Sequence, residues 1–209
     1  TFKNLNGLGI TMAANIYFPA GFVEGKRYPA VVVSHPGGGV KEQAAGLYAR
    51  KLAEKHELIT IAFDRSYQGA STGEPRQLEN PYVSTEDVSA VIDYLTTLPY
   101  VDQNRIGAMG VCAGAGYSAN AAINDRRIKA LGMVSAVNIG QMFRNGWENN
   151  VKDADAIGLR DMGADARAAA ADGSKDGIFP LAPMRKEDAP NAELEEAWEY
   201  YHTPRAQYP

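Results

Sequence analysis

Four short apolar runs, each bounded by turn residues, divide the first two thirds of the chain. They fall at residues 30–34, 58–63, 106–111 and 128–136. Continuous runs of this length suit strands buried on both faces. The segments between them have the composition or spacing of helices. Residues 41–55 are rich in Ala, Leu, Glu and Lys, all good helix formers. Residues 85–97 carry Val88, Val91, Ile92 and Leu95 at helical spacing and open on Ser84-Thr85-Glu86-Asp87, a capping-box type start. Residues 113–123 are small and apolar, as in a buried helix. Alternating strands and helices predict an α/β fold, with a mostly parallel sheet and helices on both faces. Right-handed crossovers then put the functional crevice at the C-terminal ends of the strands. Upstream, residues 10–17 alternate in places (Ile10, Met12, Ile16) and read as an antiparallel edge strand.

Beyond residue 140 the pattern changes. Residues 148–177 are rich in Ala, Asp and Gly with no strand-like run, and residues 191–201 read as an acidic surface helix. The expected division is a core over residues 1–140 and a helical lid or insertion over 141–209; a partly disordered segment would have the same composition at 148–177. A length of 209 residues favours one domain. Net charge is −4 with no Lys/Arg run, which excludes nucleic acid and anionic membrane as expected partners. No apolar run reaches the roughly 20 residues of a membrane helix. Thr1-Phe2-Lys3-Asn4 is neither a Met start nor a signal-peptide pattern. The single cysteine rules out an intrachain disulfide and fits a cytoplasmic location. No cofactor or metal is expected, and the oligomeric state is left open.

The chemistry concentrates in Gly110-Val111-Cys112-Ala113-Gly114-Ala115-Gly116, between an apolar run and a small-residue helix. A nucleophile elbow needs this layout, because the strand-to-helix turn is too tight for side chains two residues before and after the nucleophile. A thiol at a helix N-terminus faces unpaired N–H groups and a dipole that favour an anion. His35-Pro36-Gly37-Gly38-Gly39 follows the first buried run. Glycine turns of this kind present backbone N–H groups to a negative oxygen. Cys112 is thus the candidate nucleophile, and the N–H groups of Ala113 and of Gly37 or Gly38 are candidate oxyanion donors. Read singly, Cys112 could be a small buried apolar residue and the glycine turn a flexible loop.

The stretch from about residue 28 to 140 resembles the α/β-hydrolase superfamily. It is most similar to dienelactone hydrolase-like proteins and fungal polyketide transferases. The likeness is carried by Ser34-His35-Pro36-Gly37-Gly38-Gly39, by Phe63-Asp64-Arg65-Ser66-Tyr67-Gln68-Gly69, by Asp93-Tyr94-Leu95 with Leu98-Pro99, and by Arg105-Ile106-Gly107 leading into the elbow. It implies a Cys or Ser nucleophile, an oxyanion site after the third strand, a carboxylate after the seventh and a histidine after the eighth. The runs here extend only through the sixth strand of that plan. The acid, the base and two strands are therefore expected beyond Pro209, in a longer product or in a separate chain left by cleavage; a truncated relative that lacks them is the third alternative. That C-terminal remainder is one expected partner, and a small acyl substrate is the other.

His35 reads as a residue that orients the turn rather than as the base. With Tyr67 and Tyr117 it is nonetheless a candidate for substrate binding. Asp64 is assigned to bonding its own turn. His56 reads as a helix-end residue, His202 belongs to the lid, and Asn138 cannot serve as a carboxylate. The leading expectation is a hydrolase of ester, thioester or lactone bonds acting through an acyl-cysteine. Transfer to an alcohol acceptor and a non-catalytic hydrolase-like binding module are the alternatives. A redox role ranks last, because the chain holds no resolving cysteine.

Overall fold

A computed structural model describes residues 1–146, 148–171, 180 and 182–208. Two short strands, β1 (Phe2–Lys3) and β2 (Thr11–Met12), pair antiparallel. The main sheet holds β3 (Ala14–Tyr17), β4 (Tyr28–Ser34), β5 (Ile59–Phe63), β6 (Val101–Val111) and β7 (Ile128–Val134). Its order is β3-β5-β4-β6-β7. Only β3 runs antiparallel; β5, β4, β6 and β7 are parallel. The helices are α1 (Ala44–Lys55), α2 (Pro81–Thr96), α3 (Ala113–Asn124), α4 (Ile139–Asn145), α5 (Ile157–Ala171) and α6 (Ala192–Tyr201). Among the described residues, none is long and apolar enough to cross a membrane.

Strand alternation explains why the central runs look uniformly apolar. In β4, Ala30 and Val32 join a core shared with Val88, Val91, Ile92 and Leu95 of α2, while Val33 joins a second core with Ala45 and Ala49 of α1. Both faces are covered, so the few polar side chains there are bonded internally, Ser34 to Ser118 and Thr60 to the Ala49 carbonyl. The run that became β7 departs from this. It is the terminal strand of the described sheet, with β6 as its single neighbour. Leu131 and Met133 are 39% and 55% exposed, so the expectation of burial on both faces fails there.

Two boundaries also differ from expectation, each for a local reason. Residues 10–17 divide at Ala13, whose carbonyl accepts from Asp64 N–H at 2.9 Å and whose N–H donates to Ser71 Oγ at 2.9 Å. The loop after β5 thereby takes the ladder positions at that point. Helix α2 begins at Pro81 rather than near residue 85. Asn80 Oδ1 accepts from the N–H of Tyr82 at 3.0 Å and of Val83 at 3.4 Å, and Pro81 has no N–H to satisfy. Ser84 is no cap: its hydroxyl is buried and accepts from Arg65 at 3.0 Å. After β7, the 157–171 part of the Ala-rich stretch is helical, and residues 172–177 lie outside the described residues. The acidic helix at 191–201 forms as α6, capped by Asn191.

Asn80→Ala is expected to lower the unfolding free energy by about 1 kcal/mol, the usual loss for a capping side chain. Denaturant titration at neutral pH checks it. An unchanged midpoint would mean that α2 is not started by Asn80.

Candidate active site

Strands β4 and β6 are neighbours, with Ser34 in register with Gly110. From β4 the chain passes through α1 to β5 on one side of it, and β6 lies on the other. This is a topological switch point, where a crevice opens beyond the strand ends. Cys112 follows β6 there, with φ 56° and ψ −121°. A non-glycine residue in that region costs on the order of 1–3 kcal/mol and persists only when its surroundings impose it. Its N–H donates to Val134 O at 2.9 Å, and its carbonyl accepts from Ala115 and Val137, each at 3.1 Å. The thiol is partly exposed.

The flanking glycines are required by proximity. A Cβ on Gly110 would lie 2.2 Å from Gly114 O, and one on Gly114 would lie 2.4 Å from His35 O and 2.6 Å from Ser34 O. The second contact brings the elbow against the His35–Gly39 turn. That turn is closed by Gly39 N–H donating to Pro36 O at 3.1 Å, with Gly38 at φ 65°. The N–H groups of Gly37, Gly38 and Ala113 have no acceptor among the described residues. Cys112 thus stands at the start of α3, and the helix is packed through Gly114 against the carbonyls of Ser34 and His35 that lead into the glycine turn.

Beside the elbow, Ser135, Val137, Asn138, Gln141, Met142 and Asn149 border a cleft of about 400 Å³. Asn138 caps α4, accepting from Gln141 N–H at 3.0 Å. Sequence reasoning missed Tyr201. Burial first, then Tyr200 and Cys112, push its phenol up to about 12. Its one signal was the aromatic Tyr200-Tyr201 pair closing an acidic helix. Among the described residues no cluster of His, Cys, Asp and Glu is placed to hold a metal ion.

Beneath the turn lies a buried polar network. His35 is fully buried; Nδ1 donates to Pro36 O at 2.7 Å, and Nε2 accepts from Arg65 N–H at 3.3 Å. Those bonds fit one neutral tautomer. Burial, aided by the Arg65 charge, lowers the His35 pKa to about 3. Arg65, itself fully buried, donates to Glu79, Ser84 and Pro36 O, with its guanidinium 5.0 Å from the Tyr117 ring centre. Tyr117 Oη donates to Glu79 Oε1. Burial works to raise the Glu79 carboxyl, but Arg65, Tyr117 and Gln68 together hold it below its usual range.

The three residues expected to contact substrate, His35, Tyr67 and Tyr117, are placed as follows. His35 exposes no surface and has both ring nitrogens engaged within the turn and the loop after β5. Tyr117 is 4% exposed and spends its hydroxyl on Glu79. The Tyr67 ring packs on the core and over Gly73, and none of its described contacts joins it to Cys112. Asp64 bonds its own surroundings, as expected, accepting from Lys41 N–H, Lys41 Nζ and Ala70 N–H, each at 2.8 Å. His56 is exposed at the end of α1, and His202 stacks on Trp198 with Nδ1 3.3 Å from the Trp198 carbonyl.

The His35 placement predicts a pH dependence. Its folded pKa lies below the unfolded value, so the unfolded chain binds the extra proton between about pH 3 and 6.5. Its contribution to stability is full above 6.5 and is lost as pH falls through that window, by at most about 1.4 kcal/mol per pH unit. The stability gap between wild type and His35→Gln should therefore narrow from pH 7 to pH 4 in denaturant titrations. A constant gap would contradict the buried neutral imidazole.

The prolyl oligopeptidase family matches residues 74–153, which include the elbow. YcjY, an uncharacterized Escherichia coli protein, is 66% identical over all 209 residues, which span 68% of its length. PA2218 of Pseudomonas aeruginosa is 41% identical over 146 residues, covering 70% of this chain and 39% of that protein. Its crystal structure superposes with a TM-score of 0.85 at 35% identity, over 96% of this chain and 61% of that one. A thiohydrolase of Eupenicillium brefeldianum is 32% identical over 131 residues, covering 61% of this chain and 39% of that protein. The α/β hydrolase GrgF from a Penicillium species agrees in fold, with a TM-score of 0.72 at 22% identity over 99% of this chain and 66% of that one. The chain thus spans about two thirds of YcjY and less than two thirds of PA2218 and of the thiohydrolase. It belongs to the family of Escherichia coli YcjY, and its fold is that of the α/β hydrolases.

Proposed function

We propose that the chain carries the nucleophile and oxyanion half of an acyl-transfer site, in which Cys112 opens an ester, thioester or lactone through an acyl-cysteine. The observation that carries this reading is the backbone of Cys112, held at φ 56° between two glycines, with Gly114 packed against the carbonyls that lead into the glycine turn and no acceptor among the described residues for the N–H groups of Ala113, Gly37 and Gly38. Residues are held in such conformations where surrounding structure enforces them, most often at functional sites.

In the proposed reaction Cys112 Sγ gives up its proton to a base and attacks the carbonyl carbon. The carbonyl oxygen becomes an anion and turns toward the Ala113 N–H and an N–H of the Gly37–Gly38 turn. Collapse expels the alcohol or thiol, which takes up a proton. Water or an alcohol then attacks the acyl-cysteine and restores the thiol. The name of the Eupenicillium brefeldianum thiohydrolase favours thioesters among these substrates. The proposal assigns the base and its carboxylate to the part of the relatives' length that this chain does not span.

A second reading, a hydrolase-like binding module, draws on one observation. The three histidines of the chain are engaged or placed elsewhere, and among the described residues none bonds to Cys112. Incubation with p-nitrophenyl acetate, followed by intact-mass measurement, separates the two. The acyl-transfer reading expects a burst of p-nitrophenol and one acetyl group on Cys112, both abolished in Cys112→Ala. An unmodified protein whose thiol still reacts with Ellman's reagent would overturn it in favour of the binding module.

A further inference from the structure

We propose that Arg65 is a positioning residue: through Glu79 and Tyr117 it ties the Pro36–Gly37 peptide to the nucleophile helix α3 and so aims the Gly37 N–H at the developing oxyanion. The inference rests on the acyl-transfer reading and adds a residue that acts without touching substrate.

The turn is anchored at the Pro36 carbonyl. It accepts three donors: His35 Nδ1 at 2.7 Å, Gly39 N–H at 3.1 Å and Arg65 Nη2 at 3.2 Å. In a trans peptide the C=O and the next N–H point to opposite sides. Fixing the Pro36 oxygen toward the buried Arg65 therefore turns the Gly37 N–H away from it. Glycine at 37, 38 and 39 leaves the turn little stiffness of its own, so its orientation must come from outside.

Arg65 supplies that reference because both of its terminal nitrogens are held. Glu79 takes both terminal nitrogens, Nη1 through Oε1 and Nη2 through Oε2 at 3.2 Å, and Ser84 and Gln68 add further bonds. A forked guanidinium–carboxylate pair fixes direction as well as distance. Glu79 also accepts from Tyr117, on the helix that begins with Ala113. One chain of bonds, Pro36 O to Arg65 to Glu79 to Tyr117, thus connects the two loops whose amides would share the oxygen. The network orients the turn at the spacing that the Gly110 and Gly114 contacts set.

Two reactions of the same thiol test this. Acylation by p-nitrophenyl acetate builds an oxyanion; alkylation by iodoacetamide displaces iodide at a saturated carbon and builds none. Arg65→Lys keeps the charge but loses the fork, and should slow acylation about tenfold or more while alkylation stays within about twofold of wild type. Tyr117→Phe removes one hydroxyl from the network and should shift the same ratio in the same direction by less. It carries the test alone should the lysine variant not fold. Acylation at the wild-type rate in the folded variants, or equal losses in both reactions, would overturn the inference while leaving the acyl-transfer reading standing. A wild type that is alkylated but never acylated would overturn both.

Discussion

The close approach of two backbone segments governs this molecule. Where Gly114 meets the carbonyls of Ser34 and His35, a single added methyl group would lie 2.4 Å from an oxygen. Gly110 is equally confined against the first turn of α3. These contacts fix where α3 starts relative to the end of β4, and hence how far Cys112 stands from the glycine turn. The parallel register of β4 and β6 brings the two ends level. Glycine is required because its missing side chain is the only space available. The strained φ of Cys112 is the local cost of a strand turning directly into a helix.

A second constraint comes from burying charge beneath that junction. Arg65 exposes none of its surface and is paired with Glu79, yet its Nε has no partner among the described residues. Buried ion pairs are weak arguments for stability, because desolvation consumes most of what the attraction returns. Their better use is to fix geometry. Here the pair runs between the loop after β5 and the segment ahead of α2, and reaches both the oxyanion turn and α3. His35 completes the same layer as a neutral ring with one donor and one acceptor position filled.

Much of this was legible in the residue order. The buried runs marked β4, β5 and β6 because each lies under helices on both faces. The elbow was legible because its steric demand admits few sequences, and the glycine turn because three successive glycines are rarely neutral. The start of α2 was misplaced because Ser84-Thr85-Glu86 imitates a capping box, whereas the Asn80-Pro81 pair does the capping. β7 looked like a central strand because its run is as apolar as those of β4 and β5, although among the described strands β6 alone pairs with it. Tyr117 and Tyr67 could not be told from pocket walls, since an aromatic side chain gives no sign of which way it points. The Arg65–Glu79 pair was invisible because its partners are fourteen residues apart and meet only through a loop.

The account comes down to whether the thiol and the amides face one carbonyl oxygen together. A crystal structure of the protein reacted with a small aldehyde tests this most directly, because the thiohemiacetal holds a tetrahedral carbon and an oxygen where the intermediate would form. The account predicts that oxygen at roughly 2.7–3.1 Å from Ala113 N and from Gly37 N or Gly38 N, the range of effective oxyanion donors. An adduct on Cys112 whose oxygen points to solvent, with both amides left unengaged, would contradict it.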